Sequence, residues 1–475
     1  MSGSVALGAA GVPLMVFSYR EAIYLARAPN SSMAAFAPPP RDSRPIFDAP
    51  ASCNCSVADI RDPYMWSADD GSLFLLAGGG DRSNTPQALL WRSADGSGKD
   101  WSFVSKFWAP SASEVASQRY CRITSCVDAF TLPLPGTEER RQVFLFSDFE
   151  LHRVRWFVGT LSAGHELQVE KQGVADWGRK PSTNSCCRFF SLIPVAAAAG
   201  LYTHQSMWDA KGKRRLMMGN IGHPHWMAGP DMLPIPIAVG PDSADPETAG
   251  GTWSQMVSLP REVSLSPAVA LRFAPARELR AARQGAGVQK KDVALRSGAP
   301  PVVLGGTKGN VREMQLRLKS WAASGECGLR LRSSQCLLTV SLTAESVVVQ
   351  SSCTGAGGRY EPLGSCPRNA DDAKNTSALA GYCFNISLSS PPVVTAGDVA
   401  ASAPVSTNVS LTAIVDKSVV EVFVDTLPSG EPGPVISSGV FVDAGSSEAV
   451  LELFCDSGGA ATVDAATWTL APPTE

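Results

Sequence analysis

Over roughly the first 265 residues, apolar and polar positions recur as one unit: an apolar or aromatic run, a turn holding Asp and Gly, then a second apolar run. "YMWSADDGSLFLLAGGG" (Tyr64 to Gly80) shows it plainly, with Asp69-Asp70-Gly71 predicted to turn a hairpin. The unit returns as "DAFTLPLPGTEERRQVFLFSD" (Asp128 to Asp148) and "QSMWDAKGKRRLMMGNIG" (Gln205 to Gly222), with companion runs such as "ALLWRSADG" and "RWFVGTLS" between. Starts roughly 65 to 80 residues apart suit four-stranded blades joined by long loops, so residues 1–270 are expected to form a β-propeller.

From about residue 300 the pattern becomes strict alternation: "GLRLR", "CLLTVSL", "SVVVQSSC", "LTAIVD", "VVEVFVD" and "AVLELFCD". Alternation broken by turns every 8 to 12 residues or so predicts an antiparallel β-sandwich over 300–475, with "LTAIVDKSVVEVFVD" (Leu411 to Asp425) its clearest hairpin. Between the two, "APARELRAARQGAG" (Ala274 to Gly287) is rich in helix formers and closes on Gly, so 271–299 is expected to be a helical connector. The fold class is therefore all-β.

Composition narrows the function. A net charge of −3 offers no footprint for nucleic acid, and "KGKRR" (Lys211 to Arg215) reads as solvated turn charge. No apolar run reaches the ~20 residues of a spanning helix, so no membrane partner is expected. The 12 cysteines form no zinc pattern: Cys53 and Cys55 stand too close together, and Cys186 and Cys187 are adjacent. Cys327, Cys336, Cys353, Cys366 and Cys383 read as disulfide cysteines, with a stapled loop from Cys353 to Asn385. Sequons at Asn30, Asn54, Asn375, Asn385 and Asn408 point the same way, to a glycoprotein of an oxidising, secretory compartment. "MSGSVALGAAGVPLMVFSYR" has no basic start and reads as a strand from Pro13 to Tyr19, not a leader, so the expectation is that the protein begins further upstream.

Several motifs, taken in order, carry a resemblance. "SGSV" (Ser2 to Val5) with "VPLMVFSYR", "IRDPYMW" (Ile60 to Trp66), "SCVDAFTL" (Ser125 to Leu132), "SMWDAKGKRRLMMGNIG", "SLPREVSL" (Ser258 to Leu265) and "IVDKSVVEVFVD" together resemble glycoside hydrolase family 32. That is the invertase, fructanase and levanase group acting on β-fructofuranosides. The resemblance implies a five-bladed propeller followed by a sandwich, a retaining double displacement on sucrose or fructans, and no cofactor or metal. It makes Asp62 the transition-state stabiliser that bonds two fructose hydroxyls, with Arg61 beside it holding it ionised. Ser4 and Asp128 are expected at the sugar, and Trp226 either stacks on it or packs in the core. His223 and His225 line the rim or a structural loop.

Two departures qualify this. The family's nucleophile lies in a Trp-Met-Asn-Asp-Pro-Asn-Gly segment of the first blade; that segment does not occur here, and the first blade is expected to be missing. Its acid/base Glu stands immediately before the Cys of a Glu-Cys-Pro-Asp segment, where this chain has Ser125 and, further on, Val127 for the proline. A serine hydroxyl is far too weak an acid to protonate a leaving alkoxide. Asp128 and Glu114 are weak substitutes, Glu114 reading as a solvated loop residue. The expectations are thus a secreted, cell-wall or vacuolar fructosidase (or a fructosyltransferase sharing every motif), with a non-catalytic fructoside binder as the alternative. A small carbohydrate is the only partner indicated, and oligomeric state is left open.

Overall fold

The computed structural model describes residues 3–19, 22–31, 60–81, 85–116, 123–148, 153–176, 201–222, 255–307, 311–321, 325–332, 336–342, 346–353, 382–387, 409–416, 419–426, 435–439, 449–456 and 458–471, with positions 35–36, 46, 83 and 432–433 between them. Trp226, His223, His225 and most of the stapled loop lie outside these residues.

Four antiparallel meanders follow one another. The first holds β1 (Gly3–Leu7), β2 (Pro13–Tyr19) and β3 (Ala22–Arg27); the second β4 (Arg61–Ser67), β5 (Leu73–Gly80), β6 (Pro86–Ser93) and β7 (Ser102–Trp108). The third holds β8 (Thr124–Pro133), β9 (Arg140–Asp148), β10 (Arg153–Leu161) and β11 (Leu167–Asp176). The fourth is β12 (Leu201–Asp209), β13 (Arg214–Gly222), β15 (Arg261–Leu265) and β16 (Leu271–Pro275), with the short β14 (Gln255–Val257) also on β13. The leading strands β1, β4, β8 and β12 pack on one another in turn, which is the arrangement of propeller blades about an axis. Gln205 on β12 donates to Gly3 O on β1 at 2.8 Å, linking the fourth sheet back to the first.

The hairpins turn where the sequence puts Gly: Gly71 takes φ +80° between β4 and β5, with its N–H on Ala68 O. β5 and β6 are almost wholly buried, because both faces of a mid-blade strand pack on neighbouring blades. Gly78 on β5 is one consequence. A Cβ there would meet Thr124 O of the next blade at 2.4 Å. Gly78→Ala is expected to cost about 1–3 kcal/mol as overpacking. It would lower the urea midpoint at unchanged slope; an unmoved midpoint would show that the blades yield freely at this point.

The C-terminal part is two six-stranded sheets. One has the order β17 (Arg283–Arg296), β28 (Ala460–Leu470), β19 (Val311–Trp321), β24 (Val409–Asp416), β25 (Val419–Thr426), β26 (Val435–Gly439). The other runs β18 (Val302–Thr307), β27 (Ala449–Asp456), β20 (Glu326–Arg332), β21 (Cys336–Leu342), β22 (Ser346–Cys353), β23 (Tyr382–Ser387). Inward residues of both, such as Leu316, Leu318, Leu329, Val340, Val422 and Leu453, interleave into one apolar core. Cys327 lies opposite Cys455 on β20 and β27 and is disulfide-bonded to it, a partner 128 residues away. A second core joins sandwich residues Ile414, Phe423 and Leu470 to Val154, Ile221 and Leu271 of the propeller, so the two units share an apolar interface.

The connector is not a helix. Arg277–Arg280 makes one 3-10 turn, and Arg283–Arg296 is the edge strand β17, paired along most of its length with β28. Helix propensity is a weak prior against a ladder offered by a long strand. Gly285 and Gly287, each at φ +65°, let β17 bulge past Trp468, over whose ring Arg283 sits at 3.7 Å.

Candidate functional site

The leading strands of the second, third and fourth blades share one irregularity. Each has a register shift near its start: after Arg61 in β4, after Ser125 in β8 and after Tyr202 in β12. At each shift the next residue is left-handed without being glycine: Asp62 at φ +52°, Cys126 at +49° and Thr203 at +49°. Such bulges re-aim side chains at strand ends, and left-handed non-glycine residues persist where surrounding structure holds them.

The holding groups are visible. Asp62 N–H donates to Ser18 Oγ of the preceding blade at 2.8 Å, and Thr203 N–H donates to Ser147 Oγ of its preceding blade at 3.1 Å. The corresponding place in the second blade is Gly78, which pairs with Arg61 as Ser147 pairs with Ser125. With no hydroxyl there, Cys126 N–H donates instead to Asp62 Oδ2 at 2.9 Å, and Cys126 Sγ lies 3.7 Å from the same oxygen. Asp62 Oδ1 takes no hydrogen bond from any described residue. Asp62 is thus fixed at its backbone and at one carboxylate oxygen.

Asp128, two residues beyond Cys126, is fully buried. Ser206 Oγ donates to its Oδ2, Arg215 Nη2 donates to Oδ1 at 3.3 Å, and Arg215 Nη2 also donates to Tyr64 OH at 2.8 Å. Arg215 rests on the Phe130 ring at 4.2 Å. Burial pushes the Asp128 carboxyl up from its ordinary range despite Arg215, and burial together with Asp128 pushes Tyr64 up to about 12. Burial likewise raises the Cys126 thiol, with Asp62 adding to it, so this thiol is no nucleophile.

The predicted residues fall out unevenly. Asp62 lies against Cys126, with Ser125 and Tyr202 beside them, while Asp128 sits in a buried cluster with Arg215, Ser206 and Tyr64. Arg61 makes no hydrogen bond to Asp62 among the described residues, and its Nε is buried without a partner there. The group that reaches the Asp62 carboxylate is the Cys126 N–H. Ser125 is buried beside Tyr202, its Oγ without a well-aligned hydrogen bond. Ser4 Oγ accepts the Met65 N–H at 2.7 Å and so ties the first blade to the second. Glu114 closes the first turn of helix α1 (Ala112–Ala116), bonded through its carboxylate to Ser111 and Gln172. Sequence reasoning missed Arg215, Tyr64, Ser206 and His204. "KGKRR" is only partly turn charge, for Arg215 already belongs to β13 and points inward, as period-two alternation from Met217 would indicate.

His204 is wholly buried, with Nδ1 3.2 Å from Ser147 Oγ and Nε2 unpartnered among the described residues. Burial lowers its pKa from 6.5 to about 3, so the folded ring stays neutral while the unfolded one charges in mild acid. A depressed folded pKa gives stability that is present above the unfolded value and lost as pH falls. His204→Gln is therefore expected to lose less stability than the parent between pH 7 and pH 5, by about 2 kcal/mol. Paired urea titrations at the two pH values check this, and an unchanged gap between the two proteins would refute it.

Known proteins share both halves of this arrangement. The glycosyl hydrolases family 32 N-terminal domain matches residues 24–275, and the family 32 C-terminal domain matches residues 278–469. No curated protein matches in sequence. Among solved structures, fructan 1-exohydrolase IIa from Cichorium intybus is 17% identical with TM-score 0.65, over 100% of this chain and 84% of that one. Aspergillus kawachii β-fructofuranosidase is 18% identical with TM-score 0.66, over 98% and 82%. Exo-inulinase from Aspergillus awamori is 14% identical with TM-score 0.65, over 99% and 84%. At these identities the structural likeness speaks for the fold, a propeller followed by a sandwich. The family matches take in both units and nearly the whole sequence, and the chain belongs to glycosyl hydrolase family 32.

Proposed function

We propose that the chain holds the terminal fructosyl unit of a β-fructofuranoside, sucrose or a fructan, against Asp62 and hydrolyses it with retention. The observation that carries this is Asp62 itself: its Oδ2 anchored by the Cys126 N–H and its Oδ1 unengaged among the described residues. An oxocarbenium-like sugar sharpens the polarity of its ring hydroxyls, and a fixed carboxylate accepting from them binds the transition state more tightly than the ground state. In the double displacement a carboxylate attacks the anomeric carbon as the glycosidic bond breaks. A second carboxyl group gives its proton to the leaving oxygen, then takes one back from the water that displaces the sugar from the first carboxylate. Asp128, braced by Arg215 and Ser206, supports the same wall of the site.

Ser125 favours a second reading. It stands where the resemblance places the acid, and it supplies no titratable proton. A binder that keeps Asp62 and does not turn over is consistent with that exchange. Incubation with sucrose, 1-kestose and inulin, following free fructose alongside the melting temperature, separates the two. Fructose release supports the hydrolase, and sugar-dependent stabilisation without release supports the binder. No response to any fructoside overturns both. The Cys327–Cys455 disulfide supports placing the protein in an oxidising compartment: secreted, cell-wall or vacuolar.

A further inference from the structure

The sandwich sheet that carries the Cys327–Cys455 bond repeats the same backbone placement of two cysteines in its next two strands. Cys327 and Cys455 stand directly opposite each other in the register of β20 and β27, with Cα atoms 4.1 Å apart, and are bonded. Cys336 opens β21, Cys353 closes β22, and these two also stand directly opposite each other. We propose that Cys336 and Cys353 form a second cross-strand disulfide, which closes the open end of the β21–β22 hairpin.

Directly opposite residues of an antiparallel pair have Cα atoms about 4.5–5.5 Å apart, inside the roughly 4.4–6.8 Å that a disulfide spans. They also share a face of the sheet. Cys336 is in phase with Leu338, Val340 and Leu342, and Cys353 with Val347 and Val349, all residues of the sandwich core. Cys327 and Cys455 belong to that same core, so the two pairs take the same face.

The register also sets the other cysteines of this sheet aside. Cys327 and Cys455 are already joined. Cys383 on β23 stands opposite Gln350, three residues from Cys353 along β22. At ~3.3 Å per residue that offset is about 10 Å, and an odd offset puts the two on opposite faces. From Cys336, β23 is two strands away, again about 10 Å. Both separations exceed what a disulfide spans. Cys353, expected from sequence to open a stapled loop, is thereby assigned to the hairpin instead. The two bonds fall at opposite ends of the sheet: Cys327 lies opposite Leu342, the last residue of β21, and Cys336 is its first. Strands β27 and β20 are thus tied at one end, and β21 and β22 at the other.

In the bonding step the two thiols give up two protons and two electrons and one S–S bond forms. The electrons pass by exchange to a disulfide oxidant of an oxidising compartment, which is itself reduced to two thiols.

A disulfide map of the full chain tests this, with the protein purified without reductant from an oxidising expression compartment and alkylated with N-ethylmaleimide before digestion. Trypsin releases residues 333–359 as one piece, and cleavage after Glu345 then divides it between the two cysteines. The halves are expected to stay joined until reduced, in molecules whose Cys327–Cys455 bond is read as formed in the same digest. In the Cys353→Ser protein, Cys336 should take up maleimide on denaturation without reductant. Maleimide on Cys336 or Cys353 of a parent chain that holds the Cys327–Cys455 bond overturns the pairing. A bond from either cysteine to Cys366 or Cys383 overturns it equally.

Discussion

Replacing Asp62 with alanine is expected to reduce fructose release at least a hundredfold, and to abolish stabilisation by fructosides if release is absent in the parent. The magnitude follows from what is removed. A single preorganised group aimed at developing charge contributes about 10²–10³ in rate when deleted. Here the deletion also leaves the Cys126 N–H, now bonded to Oδ2 at 2.9 Å, without its acceptor. Alanine at φ +52° adds backbone strain that Asp tolerates better, so Asp62→Asn is the necessary companion. It keeps an oxygen for the Cys126 N–H and the left-handed conformation while removing the charge. If charge stabilisation is the role, the Asp62→Asn protein should fail almost as completely as the alanine variant, at unchanged melting temperature. Activity near parental in the Asp62→Asn protein would reassign Asp62 to holding the bulge.

Why Asp62 was legible and Arg215 was not is a matter of what local sequence records. Arg-Asp-Pro at a strand entry is unusual enough to notice, and strands such as Pro13–Tyr19 and Val419–Thr426 announce themselves by apolar alternation. The bulges do not. Nothing in "IRDPYMW", "TSCVDAF" or "LYTHQSM" says that one residue in each turns left-handed, because that conformation is held by Ser18, Ser147 and Asp62 on other strands. The residue before a proline is normally extended, so sequence rules would place Asp62 wrongly. Arg215 follows a turn dense with charge and was hidden by it. Its burial depends on Asp128, 87 residues away. Cys455 gave no sign of pairing with Cys327, since only the register of β20 with β27 brings them opposite. The connector erred for a related reason: Ala- and Arg-rich sequence favours a helix locally, while β28 offers Arg283–Arg296 a ladder that propensity does not see.

Arg261→Met is expected to be the most destabilising single change, by about 3–5 kcal/mol, because it leaves buried carboxylates without their counter-charge. Arg261 is fully buried where the propeller meets the sandwich. Its Nη2 donates to Asp176 Oδ2 at 2.9 Å and to Glu421 Oε2 at 2.7 Å, and Ser437 Oγ lies on Asp176 Oδ2 at 2.7 Å. Asp176 ends β11, Arg261 opens β15, and Glu421 and Ser437 come from β25 and β26, so one guanidinium joins two blades to the sandwich. Two carboxylates face one cation in a buried interface, and burial raises the Glu421 carboxyl against the pull of Arg261. A raised folded pKa gives stability that is present in acid and lost as pH climbs through it. Removing Arg261 raises that pKa further, so the variant should be crippled at neutral pH and partly recover in mild acid, where Glu421 takes up a proton. Urea midpoints at pH 7.5 and pH 5 read this directly. The double variant Arg261→Met with Glu421→Gln should regain part of the loss at pH 7.5. If Arg261→Met is no weaker at pH 7.5 than at pH 5, the interface is held by its apolar contacts alone, through Phe423, Ile414 and Leu470.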